Sequence, residues 1–141
     1  MPQQNTQFDF NNNRQPSEIF SHYHQVIIDR GSRYSVSMGR VTSRKDIVQF
    51  MNTLKSHKQC QRATHYSYAA RISQHGTIYE TKRDDGEAGA GQIILRIMQQ
   101  QSVVNGVVCV TRWFGGTKLM NDRFAHIQTA ARYATEQTNY Q

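Results

Sequence analysis

The chain reads as an α/β domain of the α+β kind: a two-layer sandwich in which helices cover a four-stranded mixed sheet, in the order βαββαβα. Three observations predict it. Segments in which apolar residues alternate with polar ones are separated by segments with helical apolar spacing. The 141 residues match the usual size of one domain, and no internal repeat divides them. Val107, Val108, Cys109 and Val110 form an unbroken apolar run, as in a strand that lies centrally or is covered on both faces.

Taken in order, residues 32–41 put Tyr34, Val36 and Met38 on one side and Arg33, Ser35 and Ser37 on the other, the period of a half-buried strand. Ser43 precedes Arg44, Lys45 and Asp46, so a hydroxyl can cap a first helical turn whose positive end an acidic side chain favours. Ile47, Met51 and Leu54, flanked by Val48 and Phe50, then form the apolar face of a helix that ends near His57. Residues 64–72 return to period two, with Tyr66, Tyr68, Ala70 and Ile72 opposed by His65, Ser67, Ala69 and Arg71. A turn at Gln74, His75 and Gly76 leads into a brief third strand at 77–79. A glycine-rich loop at 84–91 opens a second helix carrying Ile93, Ile94, Ile97 and Met98. The fourth strand, 106–112, is broken at Gly115 and Gly116. Asp122 caps a last helix with Phe124, Ile127, Ala131 and Ala134 inward.

Residues 1–19 are Gln- and Asn-rich, with little to bury, and are expected to be a disordered tail before a single domain at 20–141. No run approaches the roughly 18 apolar residues of a membrane span, and the first residues lack a secretory apolar stretch, so a soluble cytoplasmic protein with no membrane partner is expected. Cys60 and Cys109 are the two cysteines, without metal-ligand spacing, and read as reduced thiols. The net charge is +7; the stretch to Ile19 holds Arg14, Asp9 and Glu18, so 16 basic and 8 acidic residues, a net +8, fall on the domain. That surplus favours acidic partners, nucleic acid among them.

Two stretches carry the chemistry. The first is Asp84, Asp85, Gly86, Glu87, Ala88, Gly89, Ala90 and Gly91. A helix N-terminus can bind phosphate, but three carboxylates repel one and no P-loop lysine follows Gly91. The carboxylates could hold a divalent cation, yet the oxygen ladder of a calcium loop is missing. The plainer reading is that they complement the helix dipole while Gly86, Gly89 and Gly91 permit a close turn, with an acidic protein-binding surface as the alternative. The second is Arg112, Trp113, Phe114, Gly115 and Gly116, at a strand end where binding groups are common. The aromatics serve either as core, with Arg112 paired to an acid such as Asp85, or as a platform for an RNA base. Arg123 and His126, three apart, share a stripe of the last helix that is either solvated or in contact with phosphate. His22, His24, His65 and His75 form no triad or zinc pattern and receive no catalytic role.

These stretches, with Ala63-Thr64-His65, Tyr68-Ala69-Ala70-Arg71 and Asp122-Arg123-Phe124 followed by His126-Ile127, resemble the IMPACT/YigZ family, in family order, over about residues 29–133. The last motif is closer to eukaryotic IMPACT proteins than to bacterial YigZ. The chain departs from the family at Met120-Asn121, where the pattern has Gly-Pro, and is expected to lack the RWD domain of eukaryotic members and the second domain of bacterial ones. The resemblance implies a domain similar to those of ribosomal proteins, without catalytic residues, metal or cofactor. It implies a regulator of translation and stress response, since eukaryotic members oppose activation of the initiation-factor-two kinase by competing for its ribosome-bound activator, and are linked to actin. The expectation is therefore a non-catalytic module binding a translation-regulatory protein or the ribosome, with actin as a further partner. Its expected partner-binding residues are Asp84, Asp85, Glu87, Arg112, Trp113, Arg123 and His126, and its structural glycines are Gly86, Gly89, Gly91, Gly115 and Gly116. An RNA- or ribosome-binding module and a metal-dependent hydrolase using the acidic box are the alternatives.

Overall fold

Two pairs of left-handed residues fold the chain back on itself. Arg30 and Gly31 (φ 46° and 87°) join strands β2 (Ile19–Asp29) and β3 (Ser32–Arg40), and His75 and Gly76 (φ 52° and 81°) join β4 (His65–Gln74) and β5 (Thr77–Arg83). Two-residue turns with both φ positive match the twist of the strands they connect, so each makes a tight hairpin. The computed structural model describes residues 5–9 and 19–137. Its remaining elements are β1 (Asn5–Asp9), α1 (Arg44–Ser56), α2 (Ala90–Gln100), β6 (Gly106–Trp113) and α3 (Asp122–Gln137).

The sheet corrects the expected four-stranded mixed sheet. Among the described residues it has six strands, in the order β1-β2-β3-β6-β4-β5, and every neighbouring pair is antiparallel. β3 and β4 share a direction, but β6 inserts between them and runs against both. Two strands escape the period-two reading: β1 lies in the polar first stretch, and β2 is interrupted. Its register with β3 shifts between Tyr23 and Ile27, where Gln25 turns to φ 49° and its N–H donates to Ser35 Oγ at 2.8 Å. Residues 5–9, within the expected tail, run as β1 along β2. The rest of that tail, 1–4 and 10–18, lies outside the described residues.

The two-layer expectation is corrected as well, because helices lie on both faces. On one face Tyr34, Val36, Met38, Ala69, Val108 and Val110 pack under α2 and α3 with Ile94, Met98, Ile127 and Ala131. On the other, Ala70, Ile72, Val107 and Cys109 pack under α1 with Ile47, Phe50, Met51 and Leu54. Each such fully buried large apolar side chain stabilises the fold by roughly 1.5–3 kcal/mol. The apolar run of β6 is thus explained twice: the strand is central, and alternate residues feed two cores. Ser43 caps α1 as expected, its hydroxyl accepting from Asp46 N–H at 3.1 Å. Asp122 is instead the first residue inside α3.

Candidate functional site

Register builds the site. On β6, Arg112 lies opposite Tyr34 of β3 on one side and His65 of β4 on the other, so three side chains form a row at the end of the sheet on the α2/α3 face. Arg112 Cζ sits 5.4 Å from the centre of the Tyr34 ring. Burial and the neighbouring Glu87 and Asp29 outweigh the nearby guanidinium groups and lift the Tyr34 phenol to about 12.

The loop between β5 and α2 brings Glu87 onto this row. Its carboxylate, 2% exposed, accepts from Arg112 Nη1 at 2.9 Å, lies 3.3 Å from His65 Nε2 and is 3.8 Å from Arg123 Nη1 at the start of α3. A buried carboxylate requires such neighbours, since an unpaired one costs several kcal/mol. The other His65 nitrogen, Nδ1, meets the Asp85 carbonyl oxygen at 2.8 Å. Arg112 also donates from Nη2 to Ser32 Oγ at 3.3 Å, and the same hydroxyl accepts from Gly115 N–H at 3.1 Å.

The acidic box therefore divides by role. Asp84 accepts the N–H groups of Gly89 (3.0 Å) and Gly91 (2.8 Å), holding the entry to α2, and Asp85 accepts Tyr66 N–H at 2.7 Å. Arg112 pairs with Glu87, not with Asp85, because Asp85 at φ 54° turns its carboxylate onto the β4 backbone. Gly91 is needed where it stands, since a Cβ there would meet Asp84 Oδ1 at 3.0 Å and Arg83 N at 3.1 Å. Gly115 crosses the β2–β3 turn so closely that a Cβ would lie 2.1 Å from the Gly31 carbonyl carbon.

The remaining expected residues go elsewhere. Trp113, next to Arg112, faces the opposite side of the sheet, where its Nε1–H donates to the Gln61 carbonyl at 3.2 Å and Arg33 lies 5.3 Å over its ring. Phe114 is 47% exposed and so is not core. His126 Nε2 meets Asp29 Oδ2 at 2.7 Å, 5.3 Å ring to ring from Tyr34. Arg30 and His126 hold the Asp29 carboxyl below the usual carboxylate range. The structure thus joins Glu87, Arg112 and Arg123 and sets Trp113 apart from them. His65, named in the sequence without a binding role, and Ser32, not singled out, complete the site; His65 lies opposite Arg112 across the strands, whereas Ser32 reaches it only through its hydroxyl.

Two clefts open beside these groups. One, of about 390 Å³, is lined by His65, Arg112, Phe114, Lys118, Met120 and Arg123 among others, none of them acidic. The second, about 670 Å³ on the α1 face, is lined by His24, Arg33, Lys58, Arg62 and Trp113 with Gln59 and Gln61. Burial, then Arg33, lowers the His24 pKa from its ordinary value. Among the described residues no group of three or more His, Cys, Asp or Glu is placed to hold a metal ion, and no helix is long and apolar enough to cross a membrane.

The sequence profile of the Impact N-terminal domain matches residues 30–135. Curated proteins similar to the chain include the Protein IMPACT homolog of Saccharomyces cerevisiae, 36% identical over 116 residues that make up 81% of this chain and 45% of that protein. The Protein IMPACT homolog of Caenorhabditis elegans is 35% identical over 120 residues, 82% of this chain and 47% of that one. Protein IMPACT of Homo sapiens is 36% identical over 116 residues, 81% and 36% of the two chains. The chain spans less than half the length of these relatives. Among solved structures, that of the two-domain translational regulator Yih1 matches 96% of this chain and 54% of its own at 32% identity and TM-score 0.55. A hypothetical protein, 17% identical with TM-score 0.69 over 85% of this chain and 59% of its own, shares the fold.

Proposed function

Because the chain belongs to the Impact N-terminal domain family, we propose that it is the binding module of a translation regulator and acts through partner contact without catalysis. The observation that carries this reading is the use made of the carboxylates. Asp84 and Asp85 bond backbone N–H groups, and Glu87 is enclosed by Arg112, Arg123 and His65, so each is occupied in shaping the surface and not in activating a water. Beside the Glu87 cluster runs the loop after β6, where Phe114 (47% exposed) and Met120 (70%) stand with Lys118. An apolar centre with a charged rim suits a protein partner. Similarity to the translational regulator Yih1 supports a partner in translation. The finer proposal is the initiation-factor-two kinase pathway, in the cytoplasm, with the kinase's ribosome-bound activator as partner. Co-sedimentation with ribosomes carrying that activator, and capture of actin monomers, test it: retention that Phe114→Ser abolishes supports the reading, and no retention of either overturns it.

A second reading rests on the groove of the α1 face. Arg33, Lys58 and Arg62 surround Trp113 there with no carboxylate in the lining, a basic and aromatic surface suited to single-stranded RNA. Arg112 and Arg123 are not part of that surface. RNA binding that weakens with salt and with Trp113→Ala supports this reading, while binding indifferent to both removes it.

A further inference from the structure

The cleft beside Glu87 holds more positive charge than the protein itself offsets. Arg112, Arg123 and Lys118 line it, along with His65, and no acidic side chain does. Glu87, which contacts both guanidinium groups, supplies one negative charge against these three positive ones. The balance at the cleft is two positive charges, before any on His65. Arg112, 5% exposed, is matched by Glu87, so the surplus rests on Arg123, 30% exposed, and on Lys118 at the rim. The hydrogen bonding is also incomplete: Arg112 Nε and Arg123 Nε are both buried with no partner. Buried guanidinium N–H groups without a partner are open to an anionic acceptor.

We propose that this cleft is a binding site for a phosphate monoester. A monoester carries about −1.5 to −2 at neutral pH, matching the two-charge surplus, whereas a phosphodiester carries a single charge and leaves part of it uncompensated. The fork of a guanidinium suits phosphate oxygens, and Lys118, exposed at the rim, adds a point charge. The volume of about 390 Å³ falls in the roughly 300–1,000 Å³ range of small-molecule sites. Phe114 and Met120 supply an apolar wall for the rest of the ester. Glu87 is a positioning residue: it fixes Arg112 and Arg123 relative to each other and does not touch the anion. The site does not depend on which protein or nucleic acid the domain serves.

Calorimetric titration of the whole chain with inorganic phosphate, with O-phosphoserine and with dimethyl phosphate tests this. The expected result is one saturable site for phosphate or phosphoserine, with dimethyl phosphate at least about tenfold weaker, a difference of about 1.4 kcal/mol. Tighter binding of phosphoserine than of free phosphate assigns the site to an ester, and equal binding assigns it to the free ion; either supports the monoester charge class. Lys118→Glu, at an exposed position where folding is not at stake, is expected to weaken binding about tenfold or more, and Arg123→Ala to do likewise. Absence of phosphate binding overturns the proposal, as does binding unaffected by Lys118→Glu. Displacement of bound phosphate by single-stranded RNA at equal phosphate concentration overturns it too, in favour of a diester site.

Discussion

Glu87 and Arg112, on a loop and on the central strand, bring their charged groups to 2.9 Å with side chains 2% and 6% exposed. Neither is tolerable alone. Glu87→Ala strands the Arg112 guanidinium in the interior and is expected to lower stability by about 3–5 kcal/mol. Urea unfolding monitored by circular dichroism measures it; a loss under about 1 kcal/mol would show that solvent reaches the pair.

Gly115→Ala is expected to destabilise by about 3 kcal/mol or more, because overpacking here meets backbone that cannot rotate away. The Cβ would fall 2.1 Å from Gly31 C and 2.4 Å from Ser32 N. Gly116→Ala is the informative comparison: nothing lies within 4 Å of its Cβ, and its φ of +94° leaves only backbone strain. Equal melting temperatures for the two variants would contradict the crossing.

Acid destabilises the fold through His22. Its ring, buried with Nδ1 2.8 Å from Ser37 Oγ, has a pKa lowered to about 3 from 6.5 by burial and then by His24 and His57. The folded state keeps it neutral while the unfolded chain protonates below its ordinary pKa. Unfolding therefore takes up a proton between about pH 6.5 and 3, and stability falls as pH falls through that window. At pH 5 the loss relative to pH 8 is about 2 kcal/mol. His24 and His57, also shifted down, act in the same direction. Denaturation at several pH values should show this slope in the parent and a shallower one in His22→Asn.

Met120→Gly is expected to stabilise by about 0.5–1 kcal/mol, because Met120 holds φ 56° while 70% exposed and gives up little packing. The resembling family has glycine at this place. Thermal melts of parent and variant decide it; a lower melting temperature would mean that the Met120 side chain holds the loop.

The helices and the strands β3 and β4 are readable from periodicity, with Tyr34 and Tyr66 marking the phases correctly, and β6 is readable from its unbroken apolar run because both of its faces are buried. That the two phases face opposite cores is not readable. Ser35, Ser37 and Ser67 look like solvent-facing positions yet are buried under the second layer. β2 is hidden by its bulge and by His22, a polar residue in a core position. In the site, an Arg112–carboxylate pair is foreseeable in kind, but choosing Glu87 over Asp85 needs the left-handed turn at Asp85. Trp113 separates from Arg112 by the elementary alternation of a strand, which adjacency in a motif conceals.

The sheet order also governs how the chain assembles as it is made. Everything emerging from the ribosome before residue 106 can form two hairpins, β2–β3 and β4–β5, but nothing that joins them, since β6 bonds to both and is the last strand synthesised. Until it arrives, β3 and β4 each present an unpaired edge, the kind of edge that pairs with the wrong chain. Insertion of eight residues then completes the sheet, adds side chains to both cores and brings Arg112 to Glu87, and α3, made last, closes the first core over them.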